Sequence, residues 1–400
     1  MAQYDVVIIG AGIVGLATAR ELLIRKPGLK LAIVEKESEI GQHQTGHNSG
    51  VIHSAIYYTP GSLKAKACVA GAGKMYEYCE EKGIQYERCG KVIVASDAPE
   101  VVRLEELHRR GLANGVPGLE AIGPERLREL EPHAIGVRAL WSPNTGIINY
   151  SQVAAAYAQD IRSAGGEIRT SHEVLGLQSR GGERIVQTAG GEVSGSAVIA
   201  CAGLYADKVA ELSGAPRAPR IVPFRGDYFV LKPERRHLVR GMIYPVPDPT
   251  FPFLGVHFTR RIDGAVWLGP NAVLAFSREG YRRTDFKLGD VAEALGHPGF
   301  RRLATRYWKT GLAEMWRDVS RAAFCASLQV YVPEVQEDDL EYGPSGVRAQ
   351  ALSDDGALVD DFIVDRADGI LHVRNAPSPA ATSSLAIGAM IADAFEEGER

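Results

Sequence analysis

The chain has 400 residues, enough for two domains or for one large domain with a lobe inserted into it. At 45% hydrophobic and 24% charged it has the composition of an ordinary globular protein with ample core, and a formal net charge of −4 argues against nucleic acid as a partner. Its five cysteines, Cys68, Cys79, Cys89, Cys201 and Cys325, are odd in number and form no C-x-x-C pair, so reduced thiols in a cytoplasmic compartment are expected rather than a disulfide framework.

The opening "MAQYDVVIIGAG" has no positive n-region and moves straight into a strand pattern, so no signal peptide is expected. Val6 to Ile9 form a short apolar run that turns at once into G-x-G-x-x-G at Gly10, Gly12 and Gly15. Leu16, Ala19, Leu22 and Leu23 then recur at the spacing of a helix packed on a sheet. A second strand, "KLAIVEK", ends in Glu35 and Lys36, with the acid about 20 residues beyond the glycines, where the dinucleotide fingerprint has it. Gly10 permits the tight turn, Gly12 lets backbone approach a pyrophosphate, and Gly15 lets the helix sit close on the strand. The helix start at Ile13 and Val14 offers unpaired N–H groups and partial positive charge to phosphates. Glu35 can accept hydrogen bonds from a ribose and would repel a 2′-phosphate. A lone Gly-rich turn often binds nothing, but strand, helix and terminal acid together outweigh that reading. FAD and NAD both satisfy the fingerprint.

Next comes "HQTGHNSGVIHSAIYY", a cluster of His, Asn and Tyr, and then a helix expected over Ser62–Lys82. "YSQVAAAYAQDIRSAGGEI" reads as helix, turn and strand, and the turns "SRGGE" and "AGGEV" predict a small antiparallel ribbon before Cys201. Residues 217–274, rich in Tyr, Phe, Val and Pro, suit an antiparallel sheet; 291–330 read as helical; 349–373 return to strands joined by "SDDG" and "RADG". The uncharged runs Val6–Ala19 and Ala376–Ala392 are too short and too interrupted to span a bilayer. "RRLATRYWKTGLAEMWRDVSRAAF" is amphipathic and basic. It reads first as a solvated helix with one core face, although its Trp and Arg content would also suit a peripheral contact with the inner face of a membrane.

The N-terminal placement of the glycine motif, the strand "VSGSAVIACAG" and the closing "VRNAPSPAATSSLAIGAMIADAF" resemble the glycine-oxidase and D-amino-acid-oxidase superfamily of FAD enzymes. Within it, "HQTGHNSGVIHSAIYYTPGSLKAKAC", "VPFRGDYFVLKPE", "GVHFTRRIDGAVWLGPNAVLAFSREGY" and "GPSGVRAQALSDDGALVDDFIVD" resemble the L-2-hydroxyglutarate oxidase/dehydrogenase family, nearly end to end. The resemblance implies an α/β fold: a discontinuous Rossmann-like FAD-binding domain (1–82, 151–214 and 346–400) and an α+β substrate domain on an antiparallel sheet (83–150 and 215–345). It implies FAD contacts from Thr45, His47, Asn48, Ser49 and Gly50, from Val174, from Cys201, Ala202 and Gly203, and from Ser383 and Leu385 near a helix start. Spacing gives no reason to expect a covalent flavin, and no metal site is expected.

A 2-hydroxy acid needs a base for its hydroxyl proton and cations for its carboxylates. His53 and His257 are the two candidate bases, because imidazole titrates near working pH; the residues leave the choice between them open. Tyr57 and Tyr58 are expected beside the flavin or substrate. Arg225, near Tyr228, and Arg348 are candidate carboxylate clamps, since guanidinium grips carboxylate through two parallel hydrogen bonds. Asn271 is expected at the rim. The implied activity is oxidation of L-2-hydroxyglutarate to 2-oxoglutarate, with oxygen or a membrane quinone as electron acceptor. An amine or amino-acid oxidase on the same fold, and a non-catalytic dinucleotide-binding flavoprotein, are the competing readings.

Overall fold

The computed structural model describes residues 3–248 and 254–398. Residues 249–253, part of the expected 217–274 sheet region, lie outside the described residues, as do the two at each end. The strand Tyr4–Ile9 runs parallel between Leu31–Val34 and the latter half of Gly191–Ala200. Glu167–Arg169 extends the parallel order on one side and Ile370–Asn375 on the other. Because both faces are covered, these strands are apolar at successive positions rather than alternately: Val6, Val7 and Ile8 are all buried. Helices Ile13–Arg25, Tyr150–Ser163 and Ser384–Glu397 seal one face through Leu16, Leu22, Tyr157, Ile387 and Ile391. The two Gly-Gly turns connect Val174–Arg180, Glu183–Thr188 and Gly191–Ala200 as an antiparallel ribbon, as expected.

A second, mostly antiparallel sheet of nine strands stands beside the first. Its longest ladder pairs Arg220–Leu231 with Leu340–Leu352. Lys91–Ala95 is an interior strand, flanked by Met242–Pro245 and Arg138–Ser142. The expected domain boundary at 346 falls inside Leu340–Leu352, whose ladder continues on both sides of it. A small sheet of Val51–Ile52, Gly146–Ile148 and Tyr86–Glu87 also links segments assigned to different domains. The helix Leu63–Lys82 starts where Ser62 Oγ accepts the Ala65 N–H at 3.1 Å and stops at Gly83 in the left-handed region.

The helical stretch 291–330 resolves into Leu288–Gly296, Pro298–Val319 and Arg321–Gln329. The middle helix buries Phe300 and Leu303 near its start and turns acids inward further on. Leu312, Met315 and Trp316 are 52–63% exposed, while Glu314 and Asp318 are buried. Buried donors explain the inward acids: the Asn271 amide donates to Asp318 at 2.6 Å and the Ala272 N–H to Glu314 at 3.2 Å. Among the described residues no helix is long and apolar enough to cross a membrane.

Candidate active site

A cavity of about 860 Å³ runs from the glycine turn to the second sheet, a size typical of cofactor sites (~300–1,000 Å³). At its first end, Gly10 has φ +102°, and a Cβ there would lie 2.5 Å from the Cys201 carbonyl oxygen. A Cβ on Gly15 would lie 2.1 Å from the Gly10 carbonyl oxygen. Turn, helix and neighbouring strand therefore close on one another only without side chains. Gly12 is different: the nearest atom to a Cβ there would be Thr45 Oγ1 at 3.6 Å, so the helix N-terminus opens on the cavity. Thr45 Oγ1 accepts the Ile13 N–H at 3.0 Å, and Glu35 accepts the Ala11 N–H at 2.7 Å, which fixes the acid against the turn. Ser383 Oγ is buried without a partner at the start of Ser384–Glu397. Open amides at a helix start and a fixed acid on the cavity wall fit a dinucleotide.

Of the expected cofactor contacts, Gly10, Gly12, Ile13, Val14, Glu35 and Lys36 line the cavity. So do Thr45, His47, Asn48 and Ser49, and, from the far strands, Val174, Cys201, Ala202 and Gly203. Gly15, Gly50, Ser383 and Leu385 do not. Gly15 and Gly50 work through the backbone: Gly50, at φ +69°, turns the chain into Val51–Ile52 against the Ile148 carbonyl. Leu385 packs against the core of the first sheet. Within the His-rich loop the roles divide. The Asn48 side chain ties its own loop, donating to the Gln44 and Thr45 carbonyls and accepting from Gly50 N–H. His47 stacks on Tyr281 at 4.0 Å and donates through Nδ1 to the Ser345 carbonyl. His43 and His47 do have H-x-x-x-H spacing, but on a turn rather than a helix. His43 groups instead with Glu37 and Glu279, where the Lys36 ammonium already supplies a cation to both acids.

The second end gathers His53, Tyr57, Tyr58, Tyr228, His257 and Arg348, from four separate segments. Burial, with Lys91, His257 and Lys64 nearby, pushes His53 down to about 3. Burial likewise pushes His257 down to about 3, aided by Arg348 and Lys91. Both rings are neutral at pH 7. His257 Nδ1 lies 2.8 Å from the Gly255 carbonyl, which can only accept, so Nδ1 carries the proton and Nε2 holds the lone pair. Its ring lies against Tyr244 at 3.9 Å.

Two expected site residues are elsewhere. Gly226 and Tyr228 line the cavity, and strand alternation sends Arg225 to the opposite face. There Arg225 Nε donates to both carboxylate oxygens of Asp227 at 2.9 and 3.1 Å, and Nη2 lies 3.5 Å from Asp318. Asn271 joins the same buried cluster, accepting the Asp227 N–H at 2.7 Å. Arg225 and Asn271 thus sit in this ion cluster and not on the cavity wall. Sequence reasoning in turn missed two lysines. Lys64 borders the cavity, bonds Asp360 at 2.6 Å and lies over the Tyr58 ring; as the second residue of a helix it looks like any surface lysine. Lys91 is 1% exposed and stands behind Tyr57 and Tyr244. Its only sequence signal is a charge at the head of the apolar strand "KVIVA".

A doubly wound sheet with this cradle, opening onto neutral histidines and enclosed cations from a second sheet, defines a dinucleotide-dependent oxidoreductase. The chain belongs to the FAD dependent oxidoreductase family, whose model matches residues 5–394. FAD is its cofactor. The chain is 54% identical to the mitochondrial L-2-hydroxyglutarate dehydrogenase of Nematostella vectensis, covering 99% of this chain and 91% of that protein. The human mitochondrial L-2-hydroxyglutarate dehydrogenase is 52% identical (99% and 89%), and the L-2-hydroxyglutarate dehydrogenase of Indibacter alkaliphilus 48% (98% and 98%). Among solved structures, the fold matches the L-alpha-glycerophosphate oxidase of Mycoplasma pneumoniae with FAD bound, at TM-score 0.81 and 24% identity over 99% of this chain and 95% of that one. It also matches glycine oxidase from Geobacillus kaustophilus, at TM-score 0.72 and 19% identity over 99% and 95%.

Proposed function

We propose that this protein oxidises L-2-hydroxyglutarate to 2-oxoglutarate. The observation that carries the proposal is one continuous cavity joining a dinucleotide cradle to a histidine with a free ring nitrogen and to the cations Lys64 and Arg348. Near-full-length relatives at 48–54% identity bear the name of that activity, and this supports the substrate. His257 Nε2 takes the hydroxyl proton, and His53 lines the same wall. Arg348 grips one carboxylate through its planar fork, and Lys64 faces the other. Tyr58 and Tyr228 close the walls and exclude water. FAD, when bound, supplies the two-electron acceptor for the hydride leaving the hydroxyl-bearing carbon. A site built for two carboxylates discriminates strongly against a monocarboxylate, because its buried polar groups would be left unpaired.

The division into cofactor segments (1–82, 151–214, 346–400) and substrate segments is part of this proposal, with Leu340–Leu352 bridging them. So is a membrane quinone as acceptor in preference to oxygen. The outward Trp308, Leu312, Met315, Trp316 and Val319, rimmed by Arg301, Arg302, Arg306 and Lys309, support a peripheral contact with an anionic membrane face. Flotation with anionic vesicles and its loss in Trp316→Glu test that contact.

The substrate is tested by mixing the FAD-loaded protein anaerobically with L-2-hydroxyglutarate and following the flavin absorbance, with the D enantiomer as control. Rapid bleaching by the L form alone is expected. No bleaching by L-2-hydroxyglutarate, with bleaching by glycine, sarcosine or a D-amino acid, would replace this reading with an amine oxidase.

A further inference from the structure

Lys91 is the most enclosed cation beside the cavity. Its ammonium lies 4.7 Å from the centroid of the Tyr57 ring and 4.9 Å from that of Tyr244, and those two rings face the cavity. The strand that carries it is interior to the sheet, and the side chain is 1% exposed. Lys64 has Asp360 and Arg225 has Asp227, but among the described residues no carboxylate lies within ion-pair distance of Lys91. The groups that face it are His53, His257, Tyr57, Tyr244 and Cys68. Burial pushes the Cys68 thiol up to about 12, and both phenols are raised by burial as well. All of these groups are neutral at pH 7.

We propose that Lys91 is a specificity-determining positioning residue: its ammonium, sealed behind Tyr57 and Tyr244, supplies the uncompensated positive charge that favours a doubly charged anion at the histidine end of the cavity. It acts through the aromatic wall, and the anion does not touch it. A cation in such surroundings is costly to keep, since desolvation penalises the charged form. Cation–π contact with two rings holds the charge in place without cancelling it. Burial is the main reason His53 and His257 stay proton-free, and the Lys91 charge adds to it.

A consequence distinguishes this role from simple packing. Burial pushes Lys91 down to about 7, while His53 and His257, at about 3, are neutral well below that range. Of the groups facing this end, Lys91 is therefore the one whose charge changes between pH 6 and 8, and anion affinity should fall as it is lost. One unit charge ~10 Å away, at an effective dielectric of about 20, changes the dissociation constant roughly tenfold.

The inference rests on the dicarboxylate reading above, and the test separates the two. The FAD-loaded protein is titrated with 2-oxoglutarate from pH 5.5 to 9, binding being read as perturbation of the flavin absorbance, for the wild type, Lys91→Met and Lys91→Arg. The wild type should weaken as pH rises through about 7. Lys91→Met should bind roughly tenfold more weakly at pH 6 and show no such dependence. Lys91→Arg, always charged, should stay tight to pH 9. Wild-type affinity of Lys91→Met at pH 6, or an unchanged pH dependence in Lys91→Arg, overturns the role of Lys91 alone. Should Lys91→Met not fold, Lys91→Arg decides by itself. Failure of the wild type to bind 2-oxoglutarate at any pH overturns the dicarboxylate reading and this inference with it.

Discussion

Arg225→Met and Arg348→Met separate a structural arginine from a substrate-binding one. Arg225 is 3% exposed, and its guanidinium serves Asp227, Asp318 and the Arg282 carbonyl. Replacing it leaves two buried carboxylates with, among the described residues, Asn271 and Arg283, the latter about one-third exposed and 3.4 Å from Asp318. Breaking one side of a buried ion pair costs roughly 3–5 kcal/mol. Burial and the neighbouring Asp318 already push Asp227 up to about 6, with Arg225 restraining the rise. Without Arg225 it rises further, and a protonated Asp227 relieves the loss. The destabilisation should therefore be larger at pH 8 than at pH 5. Urea unfolding of the FAD-loaded protein, followed by circular dichroism at both pH values, measures it, and KM is measured at low temperature where the variant is folded. Arg225→Met should lose stability and keep its KM. Arg348→Met should raise KM by at least about a hundredfold, since each charge-assisted bond contributes ~1.5–3 kcal/mol. Wild-type stability of Arg225→Met together with a raised KM would refute the assignment and return Arg225 to the substrate site.

Gly15→Ala forces a Cβ to 2.1 Å from the Gly10 carbonyl oxygen, a backbone atom that cannot give way, so the purified variant should be colourless, which its flavin content reports. His257→Gln should slow flavin reduction by about 10²-fold or more, the usual contribution of a general base, whereas His53→Gln should slow it less; the reverse order in rapid-mixing experiments would move the base to His53. Both histidines are pushed down to about 3 in the fold from an ordinary 6.5. Between those values the unfolded chain binds protons that the folded chain does not, so their contribution to stability falls as pH drops from 6.5 towards 3, by up to ~1.4 kcal/mol per pH unit for each ring. His257→Phe should flatten that slope in a pH series of urea midpoints.

The cofactor end was legible because its determinants are local. Glycine spacing, one helix and one strand-terminal acid lie within Val6–Glu35, and each acts on backbone a few ångströms away. Ser62 and Gly83 announced a helix in the same local way. The substrate end depends on strand phase, which a sequence carries poorly. Arg225 and Gly226 are neighbours in sequence, yet only one can face the cavity, and the ladder with Leu340–Leu352 carries a register shift between Asp227 and Phe229. Lys91 is buried by Tyr57 and Tyr244, residues some 35 positions before it and 150 after it on the chain, and no local pattern reports that. The amphipathic pattern of Pro298–Val319 was legible in the sequence, but which side chains beyond Leu303 turn inward was not. An apolar stripe normally faces the core, and here buried amides at Asn271 and Ala272 required the acids instead.

Those inward acids tie the outer surface to the site. Glu314 and Asp318, one turn apart, look inward from the helix whose other side presents Met315 and Trp316. Glu314 lies close enough to Arg348 for each to shift the other's titration, and Asp318 anchors Asn271 and, through it, the backbone of Asp227 beside Tyr228. Turning the part of this helix beyond its kink at Tyr307 would hide Met315 and Trp316. The buried donors forbid it, because unpaired amides and an unanswered Arg225 would cost more than the exposed apolar area. The ion cluster thus fixes which side of the helix faces solvent, and with it the position of the second-sheet strands that carry Tyr228 and Arg348.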